Sequence, residues 1–142
     1  MTLRLEVPIS LAGLEAAQDA AEAWAEGQGV PPALVLRLRL VVEELVANLV
    51  EHAAWPGLPQ GEAPPPARLE AGFESGRLRL VLFDAARPFD PITAPEAAAP
   101  SLDDDRVGGL GLALVRRMSR DLAYAPGQDG WNRTSLFISE TH

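Results

Sequence analysis

The spacing of apolar residues changes along the chain, and each change marks an element. TLRLEV, near the start, alternates apolar and polar positions as a half-buried strand does, and Pro8 ends it. Ser10 then precedes LAGLEAAQDAAEAWAEGQG, in which Leu11, Leu14, Ala17, Ala21 and Trp24 recur at helical spacing before Gly27 and Gly29 stop the run. This predicts an amphipathic helix. Pro31 and Pro32 restart the chain where proline is tolerated, and from Ala33 to about Ala53 one stripe carries Leu34, Leu38, Val41, Val42, Leu45 and Leu49. This second helix is expected to be the most buried.

Residues 56 to 66, PGLPQGEAPPP, hold five prolines and two glycines and can continue neither helix nor strand, which predicts an exposed loop. ARLEAGFE and RLRLVLFD are strand-like runs separated by Ser75 and Gly76, the pattern of a tight hairpin. From Ala85 to about Val107 the pattern is irregular, with Pro88, Pro91, Pro95 and Pro100 and the acidic triplet Asp103 to Asp105. A loop of about twenty residues is uncommon in a compact domain and tends to be functional. GGLGLALVRRMSR reads as glycines opening a third helix, followed by DLAYAP and TSLFISE as strands around the turn GQDG. The order β-α-α-β-β-loop-α-β-β contains no internal repeat and lacks the strand-helix alternation of a doubly wound parallel sheet. It predicts an α+β fold: a two-layer sandwich with helices on one face of a mixed, mainly antiparallel sheet.

At 142 residues the chain is sized for a single domain spanning 1–142, and with 47% hydrophobic and 23% charged residues it can bury one ordinary core. Charges interrupt every apolar stretch before the roughly 18 residues that a membrane span needs. Arg4, Glu6 and Pro8 occupy the place where a signal peptide would be apolar, so a soluble, cytoplasmic protein with no membrane partner is expected. There is no Cys, and all 12 basic residues are Arg. Thiol nucleophiles, thiolate zinc sites, disulfides, Walker-A loops and Schiff bases are thereby excluded. His52 and the terminal His142 are the two imidazoles, too few for a multi-histidine metal site. A net charge of -8 argues against a nucleic-acid partner, whose phosphates need clustered cations. Abundant Ala, Arg, Pro and Gly without Lys suggests the coding bias of a high-GC bacterium.

Three places could carry chemistry. Glu44, Asn48 and His52 stand at i, i+4 and i+8 on the second helix, in one line beside the apolar stripe. Asn48 projects only about 70° from the centre of that stripe, where an amide must be hydrogen bonded or ligate something. Spacing leaves both a solvated edge and a shared ligand open. Asp84 ends an apolar strand as the chain enters the irregular loop, either starting a turn or serving a site. GGLGL opens a helix whose amides could receive an anion, with Arg106 directly before it as the nearest cation or as an ion-pair partner of Asp103 to Asp105.

Taken in order, EELVANLVEHA, FDAARPFDP, VGGLGLALVRRMSRDLAY and NRTSLFI resemble the motifs of the GHKL (Bergerat-fold) ATPases, and among these the anti-sigma-factor serine kinases. The resemblance runs from about Leu34 to Ser139. It implies ATP and Mg2+ as cofactors, with Glu44 as general base toward a serine or water, Asn48 as the Mg2+-binding amide, and His52 as a frequent neighbour of no fixed role. It also implies that Asp84 accepts a hydrogen bond from the adenine amino group with Ala86 beside it, and that residues from about 87 to 107 form an ATP lid. Gly108, Gly109, Leu110 and Gly111 would face the phosphates, Arg106 would sense the terminal one, and Thr134, or Ser135 in an alternative register, would lie near the adenine.

The family's first glycine box has Gly two residues after the aspartate where this chain has Ala86, so nucleotide affinity should fall if that position needs positive φ or close approach. The phosphate-sensing arginine sits nearer the glycines in the kinases, and the loop at 56 to 66 looks like an insertion. The implied function is an ATP-dependent serine kinase that phosphorylates an anti-sigma-factor antagonist and also binds a sigma factor. A non-catalytic partner-binding switch of the same fold is the alternative. Family kinases are often homodimers, and the apolar first helix would supply an interface or pack on the sheet.

Overall fold

The computed structural model describes residues 2–88, 107–127 and 129–139, and for 107–112 the backbone alone. Eight elements follow in the order β1 (Leu3–Val7), α1 (Leu11–Gly27), α2 (Pro32–His52), β2 (Ala67–Glu74), β3 (Arg77–Asp84), α3 (Val107–Met118), β4 (Arg120–Ala125) and β5 (Asn132–Ile138).

Local chemistry sets the helix ends. Extended Ser10 caps α1 by accepting from the Gly13 N–H at 3.0 Å. Gly13 lies against the Pro8 carbonyl so closely that any Cβ would collide with it, which lets the helix fold straight back over the end of β1. At the other end Gly29 takes φ +76, its N–H bonds to the Glu26 carbonyl, and the Val30 N–H reaches the Ala25 carbonyl at 3.0 Å. This is the Schellman arrangement, and Val30 follows it into the core. Pro32 begins α2 one residue earlier than the pattern suggested, since proline has no N–H to lose in the first turn.

The sheet order is β1-β2-β3-β5-β4, and every described pair is antiparallel. The expected mixed sheet is therefore corrected. β3 and β4 do run parallel, joined through α3, but β5 lies between them and pairs with both. The β2–β3 hairpin turns on two residues, Ser75 at φ 53 and Gly76 at φ 76, a left-handed pair that suits the twist of the strands. Both later strands start before their expected first residues. Arg120 belongs to β4 rather than to α3, and β5 begins at Asn132. Asp121 at φ 54 and a register shift between Arg120 and Ala123 mark a bulge there, a feature that apolar spacing does not encode.

Strand alternation sorts the two faces. Leu5, Leu69, Leu82 and Thr134 follow one another across the sheet on the helix side, as do Leu80 with Leu136 and Leu78 with Ile138. Helix α2 packs between α1 and α3 and contributes Leu34, Leu38, Val41, Val42, Leu45, Val46 and Leu49 to the core. Among the described residues it is the most buried helix, as its stripe predicts. Arg39 of α2 bonds Asp19 at 3.2 Å and Glu22 at 2.8 Å of α1 across the solvent side. On the outer sheet face, Arg68 covers the Phe83 ring and Arg77 the Phe137 ring, at 4.6 and 4.1 Å. No described helix is long and apolar enough to cross a membrane.

Candidate functional site

A cavity of about 330 Å³ opens where the C-terminal half of α2 faces the ends of β3 and β5. Leu45, Leu49 and Leu82 give it an apolar floor, and Asn48, Asp84, Asn132 and Thr134 supply convergent polar groups. Its size and mixed lining suit a small organic ligand such as a nucleoside.

Asp84 is the last residue of β3 and Asn132 the first of β5, and the antiparallel register sets them opposite each other. One carboxylate oxygen of Asp84, Oδ1, accepts from the Ala86 N–H at 3.0 Å and from Asn132 Nδ2 at 2.9 Å. The same Nδ2 donates to the Ala86 carbonyl at 2.8 Å. Both neighbours of the amide are acceptors, so its nitrogen faces them. Asp84 thus starts a turn and lines the cavity at once. Burial raises its pKa above the ordinary carboxylate value, and the bonds from Asn132 and Ala86 oppose that rise.

Ala86 is buried and lines the cavity, but among the described non-glycine residues only Ser75 and Asp121 have positive φ. The backbone at 86 therefore does not require glycine, which removes one reason for expecting weak binding. Arg87 bonds the Ala54 carbonyl through its N–H at 2.8 Å, joining the chain beyond β3 to the chain beyond α2.

The line of polar residues on α2 divides. Asn48 and His52 line the cavity and Glu44 does not. Glu44 is half-buried one turn earlier, and its pKa is raised first by burial and then by Glu43 and Glu51. His52 is exposed, with Nε2 3.6 Å from Glu51 Oε2. Thr134 lines the cavity, whereas Ser135 pairs with Val81 on the opposite sheet face, so the pleat selects between the two registers. Gly108, Gly109, Leu110 and Gly111 lie within the first turns of α3. Arg106, Asp103 to Asp105 and nearly all of the expected lid fall outside the described residues.

Sequence reasoning missed Asn132 and Tyr124, which line the cavity together with Arg87, the first residue of the expected lid. Tyr124 is the single tyrosine of the chain, and its alternation with Leu122 on β4 could have signalled an inward position. Asn132 carried no signal, because its partner is distant in sequence. No group of three or more His, Asp or Glu suited to a metal occurs among the described residues. A lone amide at Asn48 fits Mg2+ held mainly by phosphate oxygens and water, and not a metal caged by protein.

Comparison with known proteins agrees with this architecture. The histidine kinase-like ATPase domain family matches residues 7–136. The serine/threonine-protein kinase BtrW of Bordetella bronchiseptica is 34% identical over 100 residues, which are 70% of this chain and 66% of that protein. The match thus spans just under two thirds of the relative. The structure of the RsbU and RsbW domains of Rv1364c from Mycobacterium tuberculosis superposes with a TM-score of 0.66 at 14% identity, covering 98% of this chain and 32% of that one. The SiaB-SiaC complex from Pseudomonas aeruginosa gives a TM-score of 0.62 at 20% identity, covering 96% and 88%. At such identities the two structures share the fold. The GHKL motifs, the α+β sandwich and the family match together place this chain in the histidine kinase-like ATPase domain family.

Proposed function

We propose that the chain is an ATP-dependent serine kinase whose protein substrate is an anti-sigma-factor antagonist. The observation that carries this reading is the convergence of Asn48, Asp84 and Thr134, from three separate elements, on one nucleoside-sized cavity. Family membership and the likeness to a serine/threonine kinase support it.

In this reading residues 1–142 act as one ATPase domain with a lid at about 87–107. ATP supplies the transferable phosphoryl group, and Mg2+ neutralises its developing charge. Asp84 accepts from the adenine amino group, with Ala86 and Thr134 beside it, and Asn48 holds the metal. Gly108, Gly109, Leu110, Gly111 and Arg106 receive the phosphates at the start of α3. Glu44, outside the cavity lining, accepts the proton of the partner's serine hydroxyl, and its raised pKa improves it as a base near neutral pH. The setting is the cytoplasm of a bacterium, and a sigma factor is the further partner. Leu11 and Leu36, exposed on the helical layer, offer apolar contacts to a protein partner or a second copy.

Calorimetric titration with ATP, with and without Mg2+, tests the reading. Mg2+-dependent binding is expected, and absence of binding up to millimolar ATP would overturn it. The position of Glu44 outside the cavity favours one second reading, a nucleotide-bound switch without phosphotransfer. Incubation with radiolabelled ATP and a purified antagonist protein separates the two.

A further inference from the structure

We infer that Asn132 is a specificity-determining residue, which selects adenine over guanine by occupying one oxygen of Asp84. The inference rests on the nucleotide reading above and concerns a residue to which that reading gives no part.

Adenine and guanine differ in the donors and acceptors they present to a carboxylate. A free carboxylate offers two parallel oxygens, and guanine presents a matching pair of donors at N1–H and the 2-amino group. Adenine presents a single donor there, the 6-amino group, beside an acceptor nitrogen. A site with an unencumbered Asp therefore fits guanine well. Here Oδ1 of Asp84 already accepts from Asn132 Nδ2 at 2.9 Å and from the Ala86 N–H at 3.0 Å. Two donors use both of its lone pairs. The two hydrogen-bond partners of this carboxylate, Asn132 and Ala86, both act on Oδ1, which leaves Oδ2 as the oxygen for a ligand.

Asn132 is itself fully committed on its donor side. Its two amide hydrogens serve Asp84 Oδ1 and the Ala86 carbonyl, the second at 2.8 Å. The other polar groups nearby are Asp84 Oδ2 and Asn132 Oδ1, which accept, and the hydroxyls of Thr134 and Tyr124, which can donate or accept. The donor pair of guanine, set against Asp84, would find one carboxylate oxygen instead of two. Mispaired buried polar groups are rejected strongly, since each keeps its desolvation cost without a partner. The network is rigid because both residues are buried and held in register by β3 and β5. Asn132 is a positioning residue in this scheme, acting through Asp84.

The test is calorimetric titration of the wild-type chain and of Asn132→Ala with Mg2+-ATP and Mg2+-GTP. The wild type should bind ATP at least about tenfold more tightly than GTP, and Asn132→Ala should narrow that ratio by about tenfold as one lone pair of Oδ1 is released, the other staying with the Ala86 N–H. A wild type that takes GTP as readily as ATP would overturn the inference without any variant. So would a variant that loses affinity for both nucleotides while keeping their ratio, the result of a merely structural role. If Asn132→Ala does not fold, Asn132→Ser, which keeps a single donor, should show a narrowed ratio; an unchanged one overturns the inference. A wild type that binds neither nucleotide removes the nucleotide reading and this inference with it, whereas ATP binding without discrimination removes the inference alone.

Discussion

The Arg87 N–H donates to the Ala54 carbonyl at 2.8 Å, and this bond ties the segment after β3 to the segment after α2. Neither segment is in a helix or strand, so the bond holds together a cavity wall that no regular ladder supports. Arg87→Pro removes the donor and should lower stability by about 1 to 3 kcal/mol. Arg87→Ala keeps the N–H and should unfold near the wild-type midpoint in urea. Equal midpoints for the two variants would show that the bond does not matter.

Asp84→Asn should separate stability from binding. The folded-state pKa of Asp84 lies above its unfolded value, because burial disfavours the carboxylate. Stability from this group is greatest at acid pH and declines as pH rises from the ordinary carboxylate range through the raised value, then stays level. Asparagine keeps the acceptor for Asn132 and Ala86 without the buried charge. Its melting temperature should exceed that of the wild type at pH 7, with the difference vanishing at low pH, while ATP affinity falls about tenfold or more.

Glu44→Gln should reduce phosphotransfer by about a hundredfold or more, the range of a lost general base. ATP binding should be unchanged, as Glu44 does not line the cavity. In the wild type the transfer rate should fall as pH drops through a pKa above that of an ordinary glutamate, since protonation removes the base. A rate profile flat across that range would take Glu44 out of the role.

Asn48→Ala should weaken Mg2+-ATP binding by about tenfold and leave metal-free ATP binding unaffected. Equal losses with and without the metal would assign Asn48 to the cavity wall instead.

Leu38 is fully buried in the middle of α2, and Leu38→Ala should cost about 2 to 5 kcal/mol in urea unfolding. A smaller loss would mean that the layer between α1 and α3 closes over the gap.

Elements that depend on neighbours in the chain were legible in the sequence. Ser10 as a cap, Gly29 as a helix stop, Ser75-Gly76 as the hairpin turn and the α2 stripe all act over a few residues, so local pattern reports them. Asn48 and Asp84 were legible as candidates because an amide beside an apolar stripe and an acid at a strand end are anomalies within their own segments. The strand partners could not be read this way. Thr134 was separated from Ser135 only by the pleat of β5 against β3, and the bulge at Asp121 moved the start of β4.

The sequence by itself determined the kinds of element, their order, and the chemistry excluded by the lack of Cys and Lys. It did so because helix period, strand alternation, caps and composition are properties of short windows and of the whole count. Only the tertiary structure decided that Asp84, Ala86 and Asn132 form one hydrogen-bonded unit, that Tyr124 and Arg87 join the cavity, and that Glu44 stands outside it. Those relations arise where β5 inserts between β3 and β4, a long-range pairing that brings distant residues within bonding distance and leaves no periodic trace in either strand.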